Sequence, residues 1–190
     1  MDDSPQLAFE SEQAWEQWLE AHHAESDGVW LKLAKKGAGV PSVSYAEAVT
    51  VALCFGWIDS QSRRLDDSFY GQRFTPRRAR SKWSKVNCAR ALELIAQGRM
   101  RPAGLREVEA AQADGRWEAA YDPPSTASVP DDLQAALDEN PAALAFFEQL
   151  DSRNRYAFLY RLQTVKRPET RQKRIAEFIT MLAEGRKLYD

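Results

Sequence analysis

The chain has 190 residues, 44% of them hydrophobic, with six tryptophans and a net charge of −2. That length fits one domain or a domain with a satellite, and the composition excludes a disordered or fibrous chain. Two cysteines, Cys54 and Cys88, are too few for a disulfide framework and favour a reducing compartment. The N-terminus is acidic and lacks an apolar signal core, so the expected compartment is the cytoplasm. The longest charge-free apolar stretch, Ala48 to Ile58, falls far short of the roughly 20 residues that span a bilayer, and no membrane insertion is expected.

Residues 1–30 contain eight acids and no Lys or Arg. Ser11 is placed to cap a helix that starts with Glu12 and buries Trp15, Trp18, Leu19 and His22 at helical spacing. Val29 to Lys36 alternates and reads as a strand with Val29, Leu31 and Leu33 on one face. Gly37 to Val43 is a loop. Ser44 and Glu47 fit a capping box. The following helix, with Tyr45, Ala48, Val49, Ala52 and Leu53 on one stripe, is apolar nearly all round and therefore buried. Gly56 is placed to end it.

Residues 57–65 and 69–75 read as two strands joined by Asp66-Asp67-Ser68. Strict alternation puts Trp57, Asp59, Gln61, Arg63 and Leu65 on one face. Pro76 stops pairing. Ser81 or Ser84 caps a helix expected to bury Cys88, Ala91, Leu92 and Ile95. Pro102 starts another through Leu105, Val108 and Ala111. Residues 122–130, DPPSTASVP, form a linker between an N-terminal domain at 1–121 and a C-terminal region at 122–190. Beyond it only helices are expected: near 131–139, after Pro141, around Tyr156 to Gln163, and from Pro168 to Gly185. The fold class is α+β, with helices on a small, mainly antiparallel sheet, followed by an all-helical region.

Charge is unevenly placed. Arg63 to Arg90 holds nine bases against two acids, and Arg153 to Arg174 eight against one, so each run is +7 and the remainder carries −16. Such asymmetry bears on partners more than on fold. Candidate ligand-binding residues are Trp57, Arg63, Arg73, Arg77, Arg78, Lys82, Trp83 and Lys85 in the first run, and Lys166, Arg171 and Arg174 in the second. The two runs are expected to face one groove, with Trp83 as a stacking wall. The competing expectation is a solvated surface neutralised by the acidic N-terminal region.

Asp59 is the candidate catalytic residue, as a general base, alternatively an orienter of an arginine, Arg63 or Arg73. Cys54 and Cys88 read as buried core thiols rather than nucleophiles. His22 and His23 are adjacent and splay apart on a helix, which is poor for chelation, so no metal and no cofactor is expected.

Seven motifs, GVWLKLAKK at 28–36, SYAEAV at 44–49, ALCFGWIDS at 52–60, RFTPRR at 73–78, SKWSKVN at 81–87, GRWEAAYDPP at 115–124 and RLQTVKRPETRQKRI at 161–175, together resemble the YdeI/OmpD-associated family, also described as bacteriocin-protection proteins. The resemblance runs over nearly the whole chain. It implies a bacterial cytosolic protein linked to stress or resistance, and it brings no catalytic residues. The expected function is binding of an anionic small molecule or an acidic partner protein. The alternatives are a small enzyme with a pocket around Asp59, Trp57 and the nearby arginines, and a nucleic-acid binder, against which the pI of 5.8 argues.

Overall fold

A computed structural model describes residues 4–165 and 167–190. The chain divides into two compact units, one formed by residues 1–83 and 87–120, the other by 84–86 and 121–190. The described residues contain eight helices and one four-stranded mixed sheet, an α+β fold. None of these helices is long and apolar enough to cross a membrane.

The first unit opens with β1 (Gln6–Ala8), a three-residue strand that sequence periodicity does not announce. Helix α1 (Glu12–His22) follows, capped by Ser11, whose hydroxyl accepts the Ala14 N–H at 3.2 Å. Its Trp15 and Leu19 are fully buried, and the Trp15 indole donates to the Ala48 carbonyl at 3.1 Å. β2 (Val29–Ala34) then leads to α2 (Tyr45–Cys54), whose N-terminus carries the full Ser44–Glu47 capping box. Six of the ten α2 residues are buried, as the missing polar face requires. Tyr45, placed on the buried stripe by periodicity, is instead exposed, because the first turn projects beyond the core. Gly56 ends the helix region with φ +73°, a left-handed conformation that a side chain would strain.

β3 (Trp57–Arg64) and β4 (Phe69–Pro76) form the hairpin, and the sheet order is β1-β2-β4-β3. β1 runs parallel to β2, while the other two pairings are antiparallel. Val29, Leu31, Leu33 and Phe74 share one sheet face and join the helices in a single core. α3 (Lys85–Ala96) buries Cys88, Ala91 and Leu94 from a stripe at three-residue spacing. Leu92 and Ile95 were expected inside but are 53% and 38% exposed, since they lie off that stripe. α4 (Pro102–Ala113) packs Gly104, Val108 and Ala111 inward. All six tryptophans of the chain belong to this unit.

The second unit is helical: α5 (Asp131–Asp138), α6 (Pro141–Glu148), α7 (Ser152–Gln163) and α8 (Pro168–Ala183). Asn140 and Asp151 cap α6 and α7 through their side chains, and Pro141 and Pro168 open α6 and α8. Leu133, Leu137, Phe147, Phe158, Leu162, Ile175, Phe178 and Leu182 form its own core. Residues 84–86 join it through a parallel bridge from Ser84 to Tyr121 and the Lys85 N–H to the Tyr121 carbonyl at 2.9 Å.

Candidate functional site

The β3–β4 hairpin decides where the first-run cations go. Pairing shifts register between Asp59 and Ser62, so β3 carries a bulge there. An extra residue inverts side-chain parity beyond it. Asp59 opposes Phe74 on the helix-covered face, whereas Arg63 opposes Gly71 on the other. The expectation that Asp59 and Arg63 share a face therefore fails, because strict alternation does not survive a bulge. The partner of Asp59 is Tyr45, whose hydroxyl donates to the carboxylate at 2.8 Å. Although Tyr45 is exposed as a whole, the protein packed around its phenol end, and then this hydrogen bond, push the phenol above its ordinary range, so it stays protonated and donating. A single pocket combining Asp59 with Arg63 and Arg73 is not built.

The opposite sheet face presents Trp30, Lys32 and Ala34 from β2, Ile58 and Arg63 from β3, and Phe69, Gly71, Arg73 and Thr75 from β4. Three cations, Lys32, Arg63 and Arg73, stand on it. The Arg63 guanidinium lies 4.0 Å above the Trp30 ring and donates to Gln6 Oε1 at 3.1 Å. Trp30 is only 4% exposed in consequence, while Arg63 itself is exposed. Gly71 makes the stack possible: a Cβ there would sit 3.2 Å from Arg63 Cγ and 3.3 Å from the indole. Lys32 lies over Phe69 at 4.8 Å, and Arg73, half-buried, donates to the Ser4 hydroxyl at 3.2 Å. Cations held over aromatic rings keep their outer faces for a ligand.

The remaining first-run candidates divide. Trp57 is a core residue, 2% exposed, in edge contact with Trp15 and Trp18. Trp83, 1% exposed, packs on Trp117 under the Arg77 guanidinium, 3.7 Å above it. Trp83 therefore cannot serve as a stacking wall, because both ring faces are already covered by protein. Arg77 is also buried and donates to the Lys82 carbonyl at 3.2 Å. Trp57 and Arg77 do meet, in a cleft of about 280 Å³ shared with His23, Arg106 and Glu107. Arg78 and Lys82 are exposed on the loop between β4 and α3.

In the second unit Lys85 pairs with Asp122 at 2.6 Å. Arg171 forms a two-pronged pair with Asp132, at 2.5 and 2.8 Å, and donates to the Leu162 carbonyl. That pair holds the Asp132 carboxyl below its usual range. Arg174 pairs with Glu177. These three cations are neutralised locally. Lys166 lies outside the described residues. The acids of α1 are engaged by neither run: Glu12 pairs with Arg99, and Glu16 and Glu20 with Arg101. Burial pushes both the Cys54 and the Cys88 thiol up to about 11, which leaves them protonated at neutral pH and poor nucleophiles.

Trp30, Lys32 and Gly71 were not singled out from sequence. The available signal was the polar half of the 29–34 alternation, which sets Trp30 and Lys32 opposite Val29, Leu31 and Leu33.

No curated protein and no solved structure matches the chain. Residues 126–185, on the second unit, match the family described as Bacteriocin-protection, YdeI or OmpD-Associated. The family resemblance is thus upheld for that part, while the motifs before it fall largely under a different family model. Over residues 7–107, more than half its length, the chain belongs to the family described as a domain of unknown function, DUF8412.

Proposed function

We propose that the chain is a cytosolic bacterial binding protein, acting in stress or bacteriocin resistance, that engages an anionic ligand on the open face of its sheet. The observation that carries this is a sheet face on which Lys32 and Arg63 are held over the Phe69 and Trp30 rings. Cations held on one open surface favour an anion laid across them. The three acids of α1, Glu12, Glu16 and Glu20, are committed to Arg99 and Arg101. The arginine over Trp30 adds a flat cation on which a planar anionic group stacks. Specificity in this reading comes from the spacing of the cations across strands rather than from a closed cavity.

The test is a salt series of affinity by fluorescence anisotropy, using a labelled acidic peptide and a labelled single-stranded oligonucleotide. Binding weakens as salt rises, because exposed charges are screened over about 8–10 Å at physiological ionic strength. Lys32→Glu and Arg63→Glu each weaken it about 10-fold or more, while Arg80→Glu, off this face, has a smaller effect. Equal affinity of wild type and both sheet variants for every probe rejects the reading. Preference for the oligonucleotide over the peptide would select the nucleic-acid alternative within it.

A further inference from the structure

The second unit holds a pocket of about 470 Å³ on the outer side of α7. Its wall is built by sequence spacing: Arg153, Tyr156 and Tyr160, and likewise Arg153, Ala157 and Arg161, recur at three- and four-residue steps, so they share one helix face, opposite the buried Phe158, Leu159 and Leu162. Ser152 opens the helix at one end of the pocket, and Tyr189 closes it from the C-terminal segment. That segment is pinned by a buried residue. Asn154, 1% exposed, accepts the Tyr189 N–H at 2.9 Å while its amide donates to Asp151 at 3.2 Å. The tyrosine wall is fixed as well: the Tyr156 hydroxyl donates to the Asp122 carbonyl at 2.8 Å, and Tyr160 meets Tyr121 edge-on at 5.0 Å.

Two cations line this pocket, Arg153 and Arg161. Eight residues apart on a helix, Arg153 and Arg161 have backbones about 12 Å apart. Yet their guanidinium carbons lie 4.7 and 5.7 Å from the centre of the single Tyr189 ring. Among the described residues neither forms an ion pair with a carboxylate, whereas Lys85, Arg171 and Arg174 of the same unit each do. Two guanidinium forks at the rim of a largely aromatic cavity are an arrangement for one compact, doubly charged anion attached to an apolar body. A phosphate monoester carries about −1.5 to −2 charges at neutral pH and three acceptor oxygens, which matches two forks better than a single carboxylate does. The Ser152 hydroxyl supplies a further donor. The rings of Tyr156 and Tyr160 offer surface to a planar group.

We propose that this pocket binds a small ligand joining a planar ring to a phosphate monoester, the class of the nucleoside monophosphates, with Arg153 and Arg161 on the phosphate and the tyrosine wall on the ring. The site is separate in residues from the open sheet face and stands whether or not that face binds anions.

Calorimetric titration of the full chain with adenosine 5′-monophosphate, phenyl phosphate, adenosine and inorganic phosphate tests each half. The monophosphate binds about 10-fold or more tightly than either adenosine or inorganic phosphate, since each lacks one set of contacts. Arg153→Gln and Arg161→Gln each lower monophosphate affinity about 10-fold and leave adenosine unchanged. Tyr160→Leu lowers monophosphate and adenosine affinity alike. Phenyl phosphate binding as well as the monophosphate makes the ring contact generic to aryl phosphates, inside the same proposal. Lys32→Glu, on the open sheet face, changes none of these affinities. The proposal is overturned if the monophosphate does not bind at millimolar concentration, if both folded arginine variants bind it as wild type does, or if inorganic phosphate binds as tightly as the nucleotide. Arg153→Lys keeps the charge without the fork, and its intermediate affinity separates recognition from loss of fold.

Discussion

Replacing Gly104 by alanine puts one methyl group where α4 meets the end of α2. An alanine Cβ at this position would stand 2.3 Å from the Cys54 carbonyl oxygen and 2.8 Å from Met100 Cε. Methionine can swing away; a backbone carbonyl at a helix end cannot. Ordinary contact begins near 3.4 Å, so α4 must withdraw from α2 by about 1 Å. The same carbonyl accepts the Arg101 N–H at 3.0 Å, and that hydrogen bond stretches as α4 retreats. Overpacking of this kind costs about 1–3 kcal/mol, and a weakened backbone hydrogen bond adds about 0.5–1.5 kcal/mol. Against these stands a gain of about 1 kcal/mol, because alanine is the better helix former. The net expectation for Gly104→Ala is a loss of about 1–3 kcal/mol, read as a lower urea midpoint at unchanged slope by circular dichroism. Urea stability equal to or above wild type would refute the close approach of α2 and α4. It would also undo the geometry of the His23–Trp57–Arg77 cleft, one wall of which is α4.

Leu53→Ala empties a site that is 2% exposed at the centre of the first core and should cost about 2–5 kcal/mol, measured by the same denaturation. The Asp132 carboxyl is held low chiefly by its hydrogen bonds to Arg171, so its folded value lies below its unfolded one. Its contribution to stability is therefore complete above about pH 4–5 and disappears as pH falls through the folded value. With Asp132 44% exposed, solvent screening keeps it under about 1 kcal/mol. Asp132→Asn should flatten the acid limb of thermal stability slightly, and an unchanged limb would show the pair to be inert. Cys54 and Cys88 should react slowly with a thiol reagent at neutral pH and quickly in denaturant; fast labelling of the native chain would contradict their burial.

Most elements were legible because their signals are local. The capping box at Ser44, the φ of Gly56, the prolines at 102, 141 and 168, and the helical spacing of Leu105, Val108 and Ala111 all act within a few residues. The features that place the candidate site act across strands. A bulge leaves no mark in the sequence WIDSQSRR, yet it sends Asp59 and Arg63 to opposite faces. β1 is too short to show alternation, and its pairing is supplied by β2. Trp83 was legible as an aromatic beside cations, but whether such a ring is wall or core depends on Trp117, far along the chain. The arginines of the α7 pocket were counted in a charge run. Only the folded helix shows that Arg153 and Arg161 converge on Tyr189, a residue beyond that run.

The tryptophans are confined to one unit, and the other holds tyrosines only, four of them, as its larger fluorophores. Nature has thus labelled one half of the molecule. Light absorbed by indole alone reports the loosening of the sheet-bearing unit and is blind to the helical one, while backbone dichroism sums both. Melting curves from the two signals coincide only if the units unfold as one; any separation between them measures how far each stands alone. The same partition gives ligand studies a built-in address. A quencher or bound anion that dims indole emission has touched the unit of Trp30.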